Sequence, residues 1–138
     1  MPRLMLFTLC QSVSIDYALN TLSIFNMLEQ TNAPNFPAEL GEVACVTIWM
    51  RNDDEVGASM LQNVVVLDPD GVRLGGIETS FVLERLRHRI VNRLQRVALP
   101  RPGMYEFQLF VRREDGEYSP TPVWTYPFEL RQAPAESP

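Results

Sequence analysis

The basic side chains of one short stretch are the residues of this sequence most able to do chemistry. The stretch carries Arg85, Arg87, His88, Arg89, Arg93, Arg96 and Arg101. Guanidinium groups bind phosphates and carboxylates through paired hydrogen bonds. On strands, Arg85 and Arg87 share one face, and so do Arg89 and Arg93. We therefore take these four arginines as candidate anion-binding residues. The alternative is a solvated sheet face paired with Glu and Asp from neighbouring strands.

The charge of the whole chain argues against a general nucleic-acid binder. The net charge is −5 and the sequence pI is about 4.8, whereas such binders are usually basic. No aromatic residue is interleaved among the arginines, so a stacking platform for single strands is poorly supported. An anion- or nucleic-acid-binding module that uses segment 85–101 is kept as the alternative function.

Catalysis finds little support in the motifs. His88 is the only histidine, and we expect the surrounding arginines to lower its pKa. The sequence has no Gly-x-Ser-x-Gly elbow, no phosphate-binding glycine loop and no His cluster with metal-ligand spacing. Asp68 and Asp70 could serve calcium, but a hairpin turn explains them. The sequence predicts no enzyme, no cofactor and no metal; a small uncharacterised enzyme is the third hypothesis.

Two cysteines, Cys10 and Cys45, occur without a recognisable export signal. This pattern favours reduced, buried thiols in a cytoplasmic protein, although a disulfide between them stays open. No apolar run approaches the ~20 residues of a spanning helix, so no membrane span is expected.

Turn signals at regular intervals, with apolar alternation between them, predict an all-β domain. Tyr105, Phe107, Leu109 and Val111 alternate with polar residues, as do Trp124, Tyr126, Phe128 and Leu130. We expect a single antiparallel β-sandwich of about eight strands. Their ranges are 3–11, 20–30, 43–51, 59–67, 72–83, 88–99, 104–113 and 122–131.

Residues 78–97 also fit a helix. Leu83, Leu86, Ile90, Leu94 and Val97 are spaced by three or four. We favour two strands with a tight turn near Arg87–His88 and keep the helix as an alternative.

The segment from Leu99 to Tyr105 indicates the type of sandwich. A glycine two residues before Tyr105 resembles the tyrosine corner of immunoglobulin-like folds, where the Tyr hydroxyl bonds the upstream backbone. We therefore expect an immunoglobulin-like or C2-like sandwich over residues 1–131. Residues 132–138 have too little apolar surface to pack and are expected to be a disordered tail.

Four segments of the sequence occur in an order that resembles that of a known family. They are the segment from Asn20 to Gln30, Phe36-Pro37, Asp68-Pro69-Asp70-Gly71, and Leu99-Pro100-x-Pro102-Gly103-x-Tyr105-x-Phe107. The layout resembles a family of small bacterial proteins classed as a domain of unknown function. The resemblance extends to about Leu130 and implies a β-sandwich of about eight strands in a bacterial, cytoplasmic protein. It carries no catalytic or ligand residues.

The leading functional hypothesis is a non-enzymatic module for protein–protein contact. The core pattern is complete in itself, and edge strands offer unpaired backbone groups to a partner or to a second copy. A protein partner or self-association is expected, and no small-molecule ligand.

Overall fold

A computed structural model describes residues 1–134 as all-β, with two larger sheets and one small one. The strands are β1 (Arg3–Asp16), β2 (Thr21–Met27), β3 (Gln30–Ala33), β4 (Ala38–Leu40), β5 (Val43–Met50), β6 (Ala58–Leu67), β7 (Arg73–Leu83), β8 (Arg87–Leu94), β9 (Val97–Leu99), β10 (Gly103–Arg113) and β11 (Trp124–Gln132). A short 3₁₀ turn lies at Asp53–Glu55.

The first sheet has the order β2-β1-β5-β8 and the second the order β3-β11-β10-β6-β7. All pairings are antiparallel except the parallel pairing of β3 with β11. Strands β4 and β9 form the small antiparallel sheet. Strand β8 ends the first sheet and β7 ends the second, so two consecutive strands lie at edges of different sheets.

The core lies between the two larger sheets and joins their inner faces in one apolar cluster. Trp49 of the first sheet and Phe107 and Phe128 of the second are fully buried in it. The rings of Phe107 and Phe128 meet edge to face, with centroids 6.5 Å apart. Such a pair contributes about 0.5–1.5 kcal/mol beyond the burial of its area. The predicted all-β class is therefore confirmed.

Within residues 1–134 the strand count of about eight is corrected to eleven. The three additional strands have only three or four residues each, which is too short to show alternation. Arg96 separates β8 from β9, where one strand was expected, because its φ of 55° ends the extended backbone.

Segment 78–97 is extended, so the helical alternative is wrong and the two-strand interpretation is confirmed. The turn between these strands lies just before the expected position near Arg87–His88. It occupies Glu84–Leu86, because Arg87 and His88 already pair with Met50 and Trp49 of β5.

The hydrogen bond expected of a tyrosine corner is present. The Tyr105 hydroxyl donates to the Arg101 carbonyl oxygen at 2.6 Å and accepts from the Arg101 N–H at 3.2 Å. The finer assignment to an immunoglobulin-like or C2-like class stays a prediction.

The expected tail, residues 132–138, is described only in part. Gln132 ends β11, and the Ala133 N–H donates to the Ala33 carbonyl oxygen at 2.8 Å. Residues 135–138 lie outside the described residues.

Candidate functional site

The hairpin of β1 and β2 covers part of the outer face of the first sheet. Val13, Leu22 and Ile24 of the hairpin pack against Cys10 and Val46, which face away from the main core. The small side chains of Cys10 and Val46 leave space on this sheet face for the larger Leu22 and Ile24 of the hairpin. The hairpin is thereby fixed on the sheet, with its tip directed toward β8.

The hairpin tip reaches β8 through Arg89. The Arg89 guanidinium donates to the Asn20 carbonyl oxygen at 2.6 Å and to the Asn20 side-chain oxygen at 3.3 Å. Asn20 adopts a φ of 54°, a conformation that asparagine tolerates better than most residues. The contact therefore joins a turn to a strand that is two strands away from β1 in the sheet.

Three of the four predicted arginines lie around one concavity. Arg87 and Arg89 alternate along β8, opposite Met50 and Ile48 of β5, and so lie on the outer face. Arg85 lies in the preceding turn. We call this feature the hairpin concavity; it has a volume of about 780 Å³ and is lined by Ile15, Tyr17 and Asn20 of the hairpin and by Arg85, Arg87 and Arg89 opposite.

Arg93 is the predicted residue that the structure does not bring to the hairpin concavity. It follows Arg89 by four residues on the same strand, which is roughly 13 Å of extended chain. Arg93 instead lines a second, smaller cleft near the other end of β8. The candidate set therefore divides into a group of three arginines and one separate arginine.

The arginines of the hairpin concavity carry no carboxylate partner among residues 1–134. Within that part of the chain, no ion pair closer than 4.0 Å involves Arg85, Arg87 or Arg89. Glu84 also lines the concavity, but as the single acidic residue there. Arg101 behaves differently, because it pairs with Asp68 at 3.1 Å and with Asp70. The alternative raised by the sequence, arginines paired with Glu and Asp of neighbouring strands, therefore applies to Arg101 and not to the arginines of the hairpin concavity.

Apolar groups share the hairpin concavity with the arginines. Leu6 and Ile48 of the sheet lie between its two sides, and Met5, Tyr17 and Val82 line it as well. Tyr17 is 88% exposed, so its ring is available for contact with another molecule. The surface therefore combines exposed apolar area with three unpaired cations.

His88 lies at the hairpin concavity but is held from the other side. Its ring stacks on Phe81, with centroids 5.0 Å apart and planes at 25°. Burial lowers the pKa of His88; the cause is not the neighbouring arginines, as the sequence had suggested. Among the described residues no carboxylate orients this ring, so the geometry of a general base is not assembled here.

The sequence model of one family matches residues 5–122, a span that contains every residue of the hairpin concavity. The chain belongs to the family of unknown function DUF6941. This confirms the resemblance to a domain of unknown function. No curated protein matches the sequence.

Other possible sites of this DUF6941 member do not assemble. Within residues 1–134 no group of three or more His, Cys, Asp or Glu side chains is arranged to hold a metal ion. Over the same residues no helix is long and apolar enough to cross a membrane. Trp49 is fully buried while Trp124 is exposed, so the two do not form a shared stacking surface.

The two cysteines lie on adjacent strands but on opposite faces of the first sheet. Cys10 pairs in register with Ala44, and Cys45 with Leu9, so their side chains point away from each other. Both are free thiols. Burial raises the pKa of Cys45 to about 12 and raises that of Cys10 as well.

Sequence reasoning missed the hairpin side of the concavity. Tyr17 and Asn20 belong to no ligand-binding motif, and the distance along the chain conceals the contact of Asn20 with Arg89. The available signal was an exposed apolar residue beside turn-forming residues, and it is weak.

Proposed function

We propose that the protein is a non-enzymatic interaction module that binds an acidic, partly apolar segment of another protein in the hairpin concavity. The proposal rests on one observation: three arginines without a carboxylate partner among the described residues line the hairpin concavity together with exposed apolar side chains. Arginine and tyrosine are among the residue types enriched at energetically important interface positions.

The arginines supply the preference for an acidic partner. A carboxylate can accept two parallel hydrogen bonds from one guanidinium, and the two hydrogen bonds to Asn20 fix Arg89 in advance. Ordering a side chain before binding reduces the entropy lost in the complex. The net charge of −5 repels polyanions at long range, which favours a short acidic segment over a nucleic acid.

The apolar groups supply the preference for a protein. Tyr17 and Met5 offer contact area that a phosphate backbone does not use, whereas a peptide has apolar side chains to place there. The partner that fits best therefore carries carboxylates beside one or two large apolar residues.

The compartment proposed for this interaction is the bacterial cytoplasm. Two buried free thiols that no disulfide joins are typical of a reducing environment. The lack of any cysteine pair across the strands supports the same compartment.

The direct test measures binding of a fluorescently labelled peptide of alternating Glu and Leu by anisotropy at low and at high salt. We expect binding that weakens with salt and falls about tenfold or more in Arg85→Gln/Arg87→Gln. The matched control is Arg73→Gln/Arg113→Gln, which removes the same charge elsewhere and should bind like the parent protein.

Three other results would overturn this proposal. Equal losses in the two double variants would indicate charge attraction without a site. Tighter binding of a single-stranded oligonucleotide of equal charge would favour the nucleic-acid module. A dimer that sedimentation detects, and that Tyr17→Ala dissolves, would assign the surface to a second copy of this chain.

A further inference from the structure

A second cleft lies where the two larger sheets part, between β7 at the edge of the second sheet, β8 at the edge of the first, and β9 of the small sheet. We call it the edge cleft; it has a volume of about 430 Å³ and is lined by Val64, Val66, Gly75, Ile77, Arg93 and Arg96, among others. Val64 and Val66 belong to the main core, so the edge cleft reaches the inner face of the second sheet. It is separate from the hairpin concavity and shares no residue with it.

The edge cleft is open because β7 has a glycine at an inner-face position. Gly75 pairs with Val66, and the inner face of β7 continues through Ile77 to Phe81. A Cβ built on Gly75 would meet nothing within 4 Å. At its neighbour Gly76, in contrast, a Cβ would lie 2.7 Å from an Arg73 nitrogen. A side chain at position 75 would therefore project into the edge cleft without a clash.

The rim of the edge cleft is cationic. Arg93 and Arg96 are exposed, and none of the residues that line the cleft is acidic. Among residues 1–134, neither arginine has a carboxylate within 4.0 Å. Partly exposed apolar side chains beside the exposed guanidinium of Arg96 are complementary to a molecule with an anionic head and an aliphatic tail.

We propose that the edge cleft binds a free aliphatic carboxylate. The carboxylate lies at the rim against Arg96, and the tail lies along Leu74, Ile77 and Val97, the apolar lining side chains that remain partly exposed. The volume falls within the range of about 300–1,000 Å³ that small-molecule sites occupy. Burial of the tail provides most of the affinity, because it removes apolar surface from water, and Arg96 selects the charge of the head group.

Titration calorimetry with decanoate tests this proposal directly. Acetate supplies the head group alone, and decylammonium supplies the same tail with the opposite charge. We expect decanoate to bind and both other probes to fail. The proposal would be overturned if decanoate did not bind below its critical micelle concentration, or if decylammonium bound equally well.

Two variants locate the site. Gly75→Val fills the edge cleft with a residue that suits a strand, so it should abolish decanoate binding while the melting temperature is maintained or raised. Arg96→Gln should weaken binding about tenfold through the lost charged hydrogen bonds. The matched control, Arg113→Gln, removes the same charge far from the cleft. Decanoate binding that is unchanged in Arg96→Gln would contradict the proposal even if Gly75→Val does not fold.

Discussion

Arg89 on an edge strand donates two hydrogen bonds to Asn20 at the tip of a hairpin, with the shorter one 2.6 Å long. The contact closes the hairpin over the outer face of the first sheet, where Cys10 is completely buried. One arginine thus holds the hairpin on the sheet and also lines the proposed binding surface.

Replacement of Arg89 by Gln should loosen the hairpin. The loss of hydrogen bonds from a charged group at a partly exposed site costs about 1 kcal/mol, or about fivefold in the opening equilibrium. Alkylation of Cys10 by iodoacetamide, followed by peptide mass spectrometry, should accelerate by that factor. Cys45 in the main core serves as the internal reference. Arg87→Gln is the control, because Arg87 lies on the same face and makes no hydrogen bond to Asn20 among the described residues. Equal alkylation in both variants would show that the contact does not hold the hairpin.

A buried polar network joins the two sheets, and its central residue is Gln62. Gln62 accepts from the Trp49 indole N–H at 2.8 Å, and its amide nitrogen donates to Asn92 at 3.2 Å. Gln62→Leu leaves both partners unsatisfied in the core, so unfolding in urea should show a loss of about 2–3 kcal/mol. The exposed Gln95→Leu should change stability by less than about 0.5 kcal/mol. A similar cost for both would mean that the network contributes little.

The long strands were predictable because their core contacts appear as alternation in the sequence. Three residues of β10 point into the core between the sheets, as the sequence indicates: Tyr105, Phe107 and Leu109. Strand β3 (Gln30–Ala33) was not predictable, because three of its four residues are polar and its pairing with β11 is distant along the chain. Local propensity cannot show such pairing, which tertiary contacts determine.

The candidate site was predictable in part for the same reason. Strand periodicity placed Arg87 and Arg89 on one face once β8 was extended. Arg93 lies roughly 13 Å further along the same strand, and only the structure shows that the hairpin concavity ends before it. The hairpin side of the concavity could not be inferred, because Tyr17 approaches β8 only after the hairpin has folded over Cys10 and Val46.

Gly103 should not tolerate a side chain. Its φ is 143°, and a Cβ there would lie 2.6 Å from the Pro69 side chain. Backbone strain of this kind costs about 1–3 kcal/mol, so Gly103→Ala should unfold at lower urea concentration. Gly41→Ala is the matched control, since a Cβ at Gly41 meets open space. Equal midpoints for the two variants would show that the turn adapts without cost.

Tyr105→Phe tests the tyrosine corner without disturbing the core. The ring stays in place, but the Arg101 carbonyl loses a hydrogen bond of 2.6 Å. We expect the free energy of unfolding to fall by about 1–2 kcal/mol. Tyr118→Phe removes a hydroxyl that bonds Glu78 at the surface and should cost less than about 0.5 kcal/mol. If Tyr105→Phe cost no more than that control, the corner would not stabilise the fold.

Asp68 should make stability depend on pH in the acid range. Hydrogen bonds from the N–H groups of Val72 and Asp70, together with the Arg101 guanidinium, hold the pKa of Asp68 below its usual range. Because the folded pKa is below the unfolded value of about 3.9, this stabilisation is present above that value. It is lost as the pH falls through the folded pKa.

Asp68→Asn should therefore be less stable than the parent protein at neutral pH and should lose less stability on acidification. Urea unfolding at a series of pH values measures both effects. Asp115→Asn is the control, because Asp115 is exposed and makes no ion pair with the described residues. Its acid-range slope should match that of the parent protein. An unchanged slope in Asp68→Asn would show that the turn holds this carboxylate no more strongly in the folded chain than water does in the unfolded one.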